Sequence, residues 1–250
     1  MIPQIVTLAA FLSLSLNSAP APEAVPAEAL GPVKYEVRYN LKGISTKVAD
    51  ATISLEKGRW NQQDALHSHA EITASSIFRL FMASEYIADA YLTTDSREPM
   101  YSVNPIRKGK KEGKFECRYD QESRIISSEF APPSEKPVLG TYPLDGLTMD
   151  LLSLVQYARF HDFPAGKPIN IHLLMKGRSV AATLVNQGPD KEKFPGQATD
   201  RLFIKMIDTG LMENGSGNEI TVWRSAESSH RILGLETSLS SGTMSVSIAE

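Results

Sequence analysis

The chain has 250 residues, 42% of them hydrophobic, with 26 Lys+Arg against 29 Asp+Glu and a formal net charge of −3. That length supports one substantial core, and the near-neutral balance excludes bulk electrostatic attraction to nucleic acid. A single cysteine, Cys117, excludes an internal disulfide framework and a cysteine-based zinc site.

Residues 1–19 read as a signal peptide. An apolar run from Ile5 to Leu16 is too short to cross a bilayer as a helix but suits the apolar core of a leader. The segment before it lacks Lys and Arg, and Pro20 and Pro22 blur the cleavage pattern. A Pro/Ala-rich linker over 20–30 follows, and residues 31–250 read as a single β-rich domain. An exported domain without disulfides points to the periplasm of a Gram-negative bacterium. No later segment is apolar for long enough to span a membrane as a helix, so an integral membrane protein is not expected.

The domain opens with Val33, Tyr35, Val37, Tyr39 and Leu41 alternating with polar residues, the period-two pattern of a half-buried strand. Gly43 breaks it, and strands are predicted next at 48–55, 66–74, 85–93, 100–106, 114–119 and 124–130. Within 66–74, Leu66, Ser68, Ala70 and Ile72 form the more apolar face. His67, His69 and Glu71 share the other face. Two histidines two apart on a strand point the same way and can share a metal, but a solvated face is the expected reading, with no metal site. Between the third and fourth strands, the apolar patch 77–82 reads as a helical turn or a mobile cover. Cys117 lies between Phe115 and Tyr119 on one strand face and reads as a small core hydrophobe rather than a catalytic thiol.

One helix is predicted, over about 147–161. Leu147, Leu151, Leu154, Val155 and Ala158 fall on one helical face. Asp145 or Asp150 caps the start, and Pro164 with Gly166 ends it. Met149, Leu152, Tyr157 and Phe160 widen the apolar surface nearly all round, so the helix must be wrapped by protein or plug a barrel mouth. Strands resume at 169–175, 180–185, 202–207, 220–225, 231–238 and 244–248. Short polar turns between closely spaced strands favour an antiparallel meander, and so many strands in one sheet curl or close. The expected fold is mainly β: a β-barrel or strongly curved half-barrel with one buried or capping helix.

Enzyme signatures are absent: no G-x-S-x-G elbow, no H-E-x-x-H and no phosphate-cradling loop. The residues to inspect first for an unrecognised site are His67, His69, Asp150, Ser153 and Arg159. The one basic cluster, Arg107, Lys108, Lys110 and Lys111 with Lys114 and Arg118 behind, reads as a hydrated hairpin tip or a contact for anionic headgroups.

Taken together, several short motifs resemble the domain of unknown function 3108 family of exported bacterial proteins. They are Tyr35-x-Val37-x-Tyr39-x-Leu41-x-Gly43-Ile44 with Ala49 and Ala51, Asp150-Leu151-Leu152-Ser153 with Tyr157 and Arg159, and Val222-Trp223-x-Ser225 with Arg231, Glu236 and Gly242. Glu227 stands where the family usually has aspartate and Leu233 where proline is common, and 187–198 reads as an insertion between strands. The resemblance implies an exported β-rich envelope protein and transfers no catalytic residue. Trp223 and Tyr157 read most simply as core aromatics, Asp150 as a helix cap, and Arg159 as paired with a carboxylate or strand-end carbonyls.

The expected function is a non-catalytic binding or carrier module without a cofactor, its ligand a lipid or the lipid part of a glycolipid. Phe78, Phe81, Met82, Tyr157 and Trp223 are the candidate ligand contacts. The alternative is an envelope interaction or scaffold protein with a filled core, bound to a protein partner.

Overall fold

A computed structural model describes residues 25–76, 85–108, 110–144, 147–207, 218–227, 230–239 and 241–249. Among these residues fifteen strands form one sheet in the order β8-β7-β6-β5-β4-β3-β2-β1-β15-β14-β13-β12-β11-β10-β9. In chain order these are β1 (Gly31–Leu41), β2 (Ile44–Trp60), β3 (Gln63–Ala74), β4 (Glu85–Thr93), β5 (Pro99–Lys108), β6 (Lys111–Asp120), β7 (Ile125–Ala131) and β8 (Val138–Pro143). Then come β9 (Thr148–Met149), the helix α1 (Leu151–Phe160), β10 (Pro168–Met175), β11 (Arg178–Asp190), β12 (Thr199–Met206), β13 (Glu219–Ser225), β14 (Ile232–Leu239) and β15 (Gly242–Ile248).

The topology is the expected antiparallel meander, with one parallel pair, β9 on β10. Tight two-residue turns set the register: Lys42–Gly43 and Lys176–Gly177 both have positive φ, as a type I′ turn requires, and glycine takes the second position without strain. The first and last strands pair, Tyr35 opposite Ile248 and Tyr39 opposite Met244, which leaves β8 and β9 as the two edges of a curled sheet. These edges are consecutive in the chain, so the gap is a seam rather than an open face. Across it the Tyr142 hydroxyl of β8 donates to the Gly177 carbonyl at 2.7 Å.

The helix is shorter than its periodicity suggests. Leu147 and Met149 precede it, because Thr148 and Met149 extend to pair with His172 and Leu173. Asp150 is the cap, its Oδ1 accepting from the Ser153 amide at 3.0 Å; Asp145 lies outside the described residues. α1 lies against β3, β4 and β10. Small inward residues, Ser68, Ala70, Ala88 and Ala90, let it approach the sheet there, with Leu152 packed on the alanines. The main core joins Leu154 and Ala158 to Ile171, Leu173, Leu184, Leu202 and Val222, and Cys117 is fully buried beside them. At one end, Val25, Leu30 and Phe160 pack on Leu55, Leu66 and Leu92, so the described part of the Pro/Ala stretch lies against the curled sheet. Among the described residues no helix is long and apolar enough to cross a membrane.

Candidate functional site

A chain of polar contacts fixes α1 inside the sheet from end to end. At its start the Tyr119 hydroxyl donates to Asp150 Oδ2 at 3.0 Å and accepts from the Asp150 amide at 3.0 Å, while Ser153 Oγ donates to the same carboxylate. Burial and the Asp150 charge push the Tyr119 phenol well up. At mid-helix Gln156 Nε2 donates to Ser68 Oγ at 2.8 Å, and Ser68 Oγ donates on to the Ser54 carbonyl. Arg159 donates to Gln156 Oε1 at 3.0 Å and to the Ala29 carbonyl at 2.9 Å, and burial lowers its pKa to about 10. At the C-terminal end Arg224 Nη1 donates to the carbonyls of Ala158 (2.7 Å) and His161 (2.8 Å), groups the helix leaves unpaired.

Asp150, Ser153 and Arg159 are therefore committed to holding the helix. Arg159 meets a carbonyl and an amide, the carbonyl half of what its position suggested. Gln156 and Arg224 escaped the sequence reading. Their signal is a polar side chain inside an otherwise apolar stretch, but such a residue reads as outward-facing until the register is known.

Space remains at both ends of α1. Beside its N-terminus a cleft of about 480 Å³ runs between Tyr86, Phe115, Phe130, Leu151, Leu152, Leu174 and Met175. Its walls are largely apolar, and Leu151 and Tyr86 are each 42% exposed, so it opens to solvent. Arg107 and Lys176, both exposed, reach its rim. Beside the C-terminus a more polar cleft of about 380 Å³ holds Asp95, Arg97, Glu98, Arg124, Tyr157 and His161. There the His161 ring stacks on Tyr157 at 3.5 Å with its Nδ1 3.0 Å from the Tyr157 carbonyl. Burial holds the His161 pKa below the ordinary imidazole value.

Of the predicted ligand contacts, the two among the described residues, Tyr157 and Trp223, occupy different places. Tyr157 lines the polar cleft, not the apolar one. Trp223 is buried beneath the segment after β11: its Nε1 donates to Asp190 Oδ2 at 2.9 Å, Lys193 Nζ sits 4.8 Å from its ring centroid, and Phe194 meets it edge-on. The stretch read as an insertion thus begins inside β11 and goes on to cover Trp223. Phe78, Phe81 and Met82 lie outside the described residues. In the basic cluster, Arg107 and Lys111 flank the β5–β6 turn with Lys110 exposed between them, and Lys108 ends β5. On β3, His67 and His69 gather on Asp89 of the next strand.

A family profile described as "Protein of unknown function (DUF3108)" matches residues 34–247. A search of the curated proteins gave no significant match. Among solved structures, a β-barrel-like protein of domain of unknown function DUF1849 from Brucella abortus aligns over 88% of this chain and 95% of its own, with TM-score 0.51 and 10% identity. The lipoprotein LppX from Mycobacterium tuberculosis aligns over 89% and 86%, with 13% identity and TM-score 0.29, too low to compare shapes. The first likeness is one of fold alone, and it agrees with the curled sheet described above.

Proposed function

The chain belongs to the DUF3108 family, and from this premise we propose that it is an exported, extracytoplasmic binding module for an apolar or amphipathic ligand. The ligand, a lipid or the lipid part of a glycolipid, sits in the cleft at the N-terminal end of α1. One observation carries the reading: the helix packs Leu154 and Ala158 into the main core, yet beside Leu151 and Leu152 an apolar-walled space of about 480 Å³ stays open. That volume falls within the roughly 300–1,000 Å³ of small-molecule sites. Exposed apolar walls of this kind cost free energy unless something covers them. Arg107 and Lys176 at the rim suit an anionic headgroup left in solvent. The leader-like first nineteen residues support the location.

Titration with a fluorescent long-chain fatty acid tests the site. Wild type is expected to saturate, and Leu151→Glu to weaken binding at least tenfold with unchanged melting, because it sets a carboxylate against the chain on a wall already part-exposed. Equal binding by both proteins removes the cleft from the reading. Arg107→Ala with Lys176→Ala is expected to weaken the fatty acid but not the matching long-chain alcohol.

A second reading, an envelope interaction or scaffold protein, is favoured by the helix itself, which packs Leu154 and Ala158 into the core where a deep carrier cavity would lie. Saturable binding of the probe decides between the two.

A further inference from the structure

Among the described residues, one convergent set of ligating atoms lies on β3 and β4, where Asp89 also borders the apolar cleft. The sequence puts His67 and His69 on one strand face. The register adds what the sequence does not show: Asp89 stands directly opposite His69, and Tyr91 directly opposite His67. His67 Nε2 is 2.8 Å and His69 Nδ1 2.9 Å from the same oxygen, Asp89 Oδ1, and the three ligand atoms lie within 4.8 Å of one another. We propose that His67, His69 and Asp89 form a binding site for a divalent transition-metal ion of the zinc type.

Bonds of about 2.0–2.1 Å from zinc to imidazole nitrogen and carboxylate oxygen place tetrahedral neighbours about 3.3 Å apart. The two N···O spacings need to open by about half an ångström to admit the ion, and the two imidazole nitrogens already lie within 4.8 Å of each other. The side chains have room to do so, being 30%, 37% and 25% exposed. Facing one carboxylate oxygen, each imidazole presents an N–H to it; to bind the ion each neutral ring takes the tautomer whose proton sits on its other nitrogen, and Asp89 supplies the negative charge. Among the described residues, the ion pairs of Asp89 are with these two histidines. Glu56, opposite His67 on β2, and Glu71, two residues beyond His69, add negative charge to the same region. The His67 ring is held in plane by Tyr91, stacked at 4.5 Å and 10°. Two imidazoles and a carboxylate suit zinc, copper(II) or nickel(II) better than calcium or magnesium, which prefer all-oxygen shells. Three protein ligands on an open face leave a coordination position for water or a ligand from outside, the arrangement of an accessible site rather than a closed structural one.

The test is calorimetric titration of the chelator-stripped protein with zinc chloride at neutral pH. One equivalent is expected to bind, and His69→Gln or Asp89→Asn to weaken it more than tenfold, since even losing a partner behind a metal ligand costs about 10–100-fold. His172→Gln, at an exposed position of β10, is expected to bind as wild type does. Melting curves without metal check that each variant folds. Absence of stoichiometric binding, or binding by His69→Gln and Asp89→Asn equal to wild type, overturns the proposal. X-ray absorption of the zinc-loaded wild type keeps it testable without variants: two imidazole nitrogens are expected, and a shell without imidazole overturns it.

Discussion

At the scale of the residue, the stability of this protein turns on polar side chains that face inward. Arg224 is 2% exposed and closes the C-terminal end of the helix with two hydrogen bonds, one more, at 3.4 Å, reaching Asp200. Arg224→Ala leaves the buried Ala158 carbonyl and the part-buried His161 carbonyl unpaired. At about 1–3 kcal/mol for each orphaned group, a loss of about 3 kcal/mol is expected, read as a shift of the urea midpoint. Trp223→Phe, next in sequence but facing outward, removes one hydrogen bond and is expected to cost about 1 kcal/mol in the same assay. His161 supplies a pH dependence. Its folded pKa is lowered, chiefly by burial, so the unfolded chain takes up the proton first. Stability is therefore full above the ordinary imidazole value of about 6.5, falls as pH drops through it, and levels off below the folded value. Melting temperatures between pH 7.5 and 5 are expected to fall for wild type and to fall less for His161→Gln.

At this scale the sequence was legible for single faces and blind to partners. Cys117 in the core and Asp150 as the cap follow from neighbours in sequence. That Asp89, twenty residues from His69, closes on both histidines follows only from strand register, as does the inward turn of Arg224 beside the outward Trp223. Glu71, the carboxylate which sequence spacing offered, instead accepts from Thr73 Oγ1 at 3.3 Å.

At the scale of the element, the strands with clean alternation and the oily helix were readable, and the edges were not. β8 is Val-Leu-Gly-Thr-Tyr-Pro, punctuated like a turn, and glycine and proline are tolerated there because an edge strand needs fewer ladder bonds. β9 has only two residues and no pattern to read. β11 runs past its apolar stretch to Asp190 across a register shift between Asn186 and Pro189, which disguised its second half as an insertion. The helix gives the sharpest test here. Leu154 is 1% exposed in the main core. Leu154→Ala is expected to cost about 2–5 kcal/mol by leaving a cavity. Leu154→Asp adds an unpaired buried charge and is expected to abolish the cooperative melting transition. Native-like melting of the aspartate variant would mean that the helix does not pack inside the sheet.

At the scale of the whole molecule, pairing of β1 with β15 ties the two ends of the described chain together and confines the opening in the sheet to the β8–β9 seam. The helix that enters just after the seam packs against β3, β4 and β10 inside the curled sheet, with a cleft beside each of its ends. The sequence foresaw a helix in a curled sheet. It could not separate a hollow interior from a filled one, because apolar side chains around a cavity and in a solid core have the same spelling. Among the described residues, the helix packs Leu154 and Ala158 into the main core, and an apolar cleft lies open beside Leu151 and Leu152.

That cleft is the centre of the functional reading, and native mass spectrometry of protein recovered without detergent from a bacterial envelope tests it most directly. A discrete added mass that is lost in Leu151→Glu is expected, and that mass identifies the ligand class. A bare protein mass, unchanged after incubation with envelope lipid extract, would contradict the binding reading and leave the barrel as a scaffold.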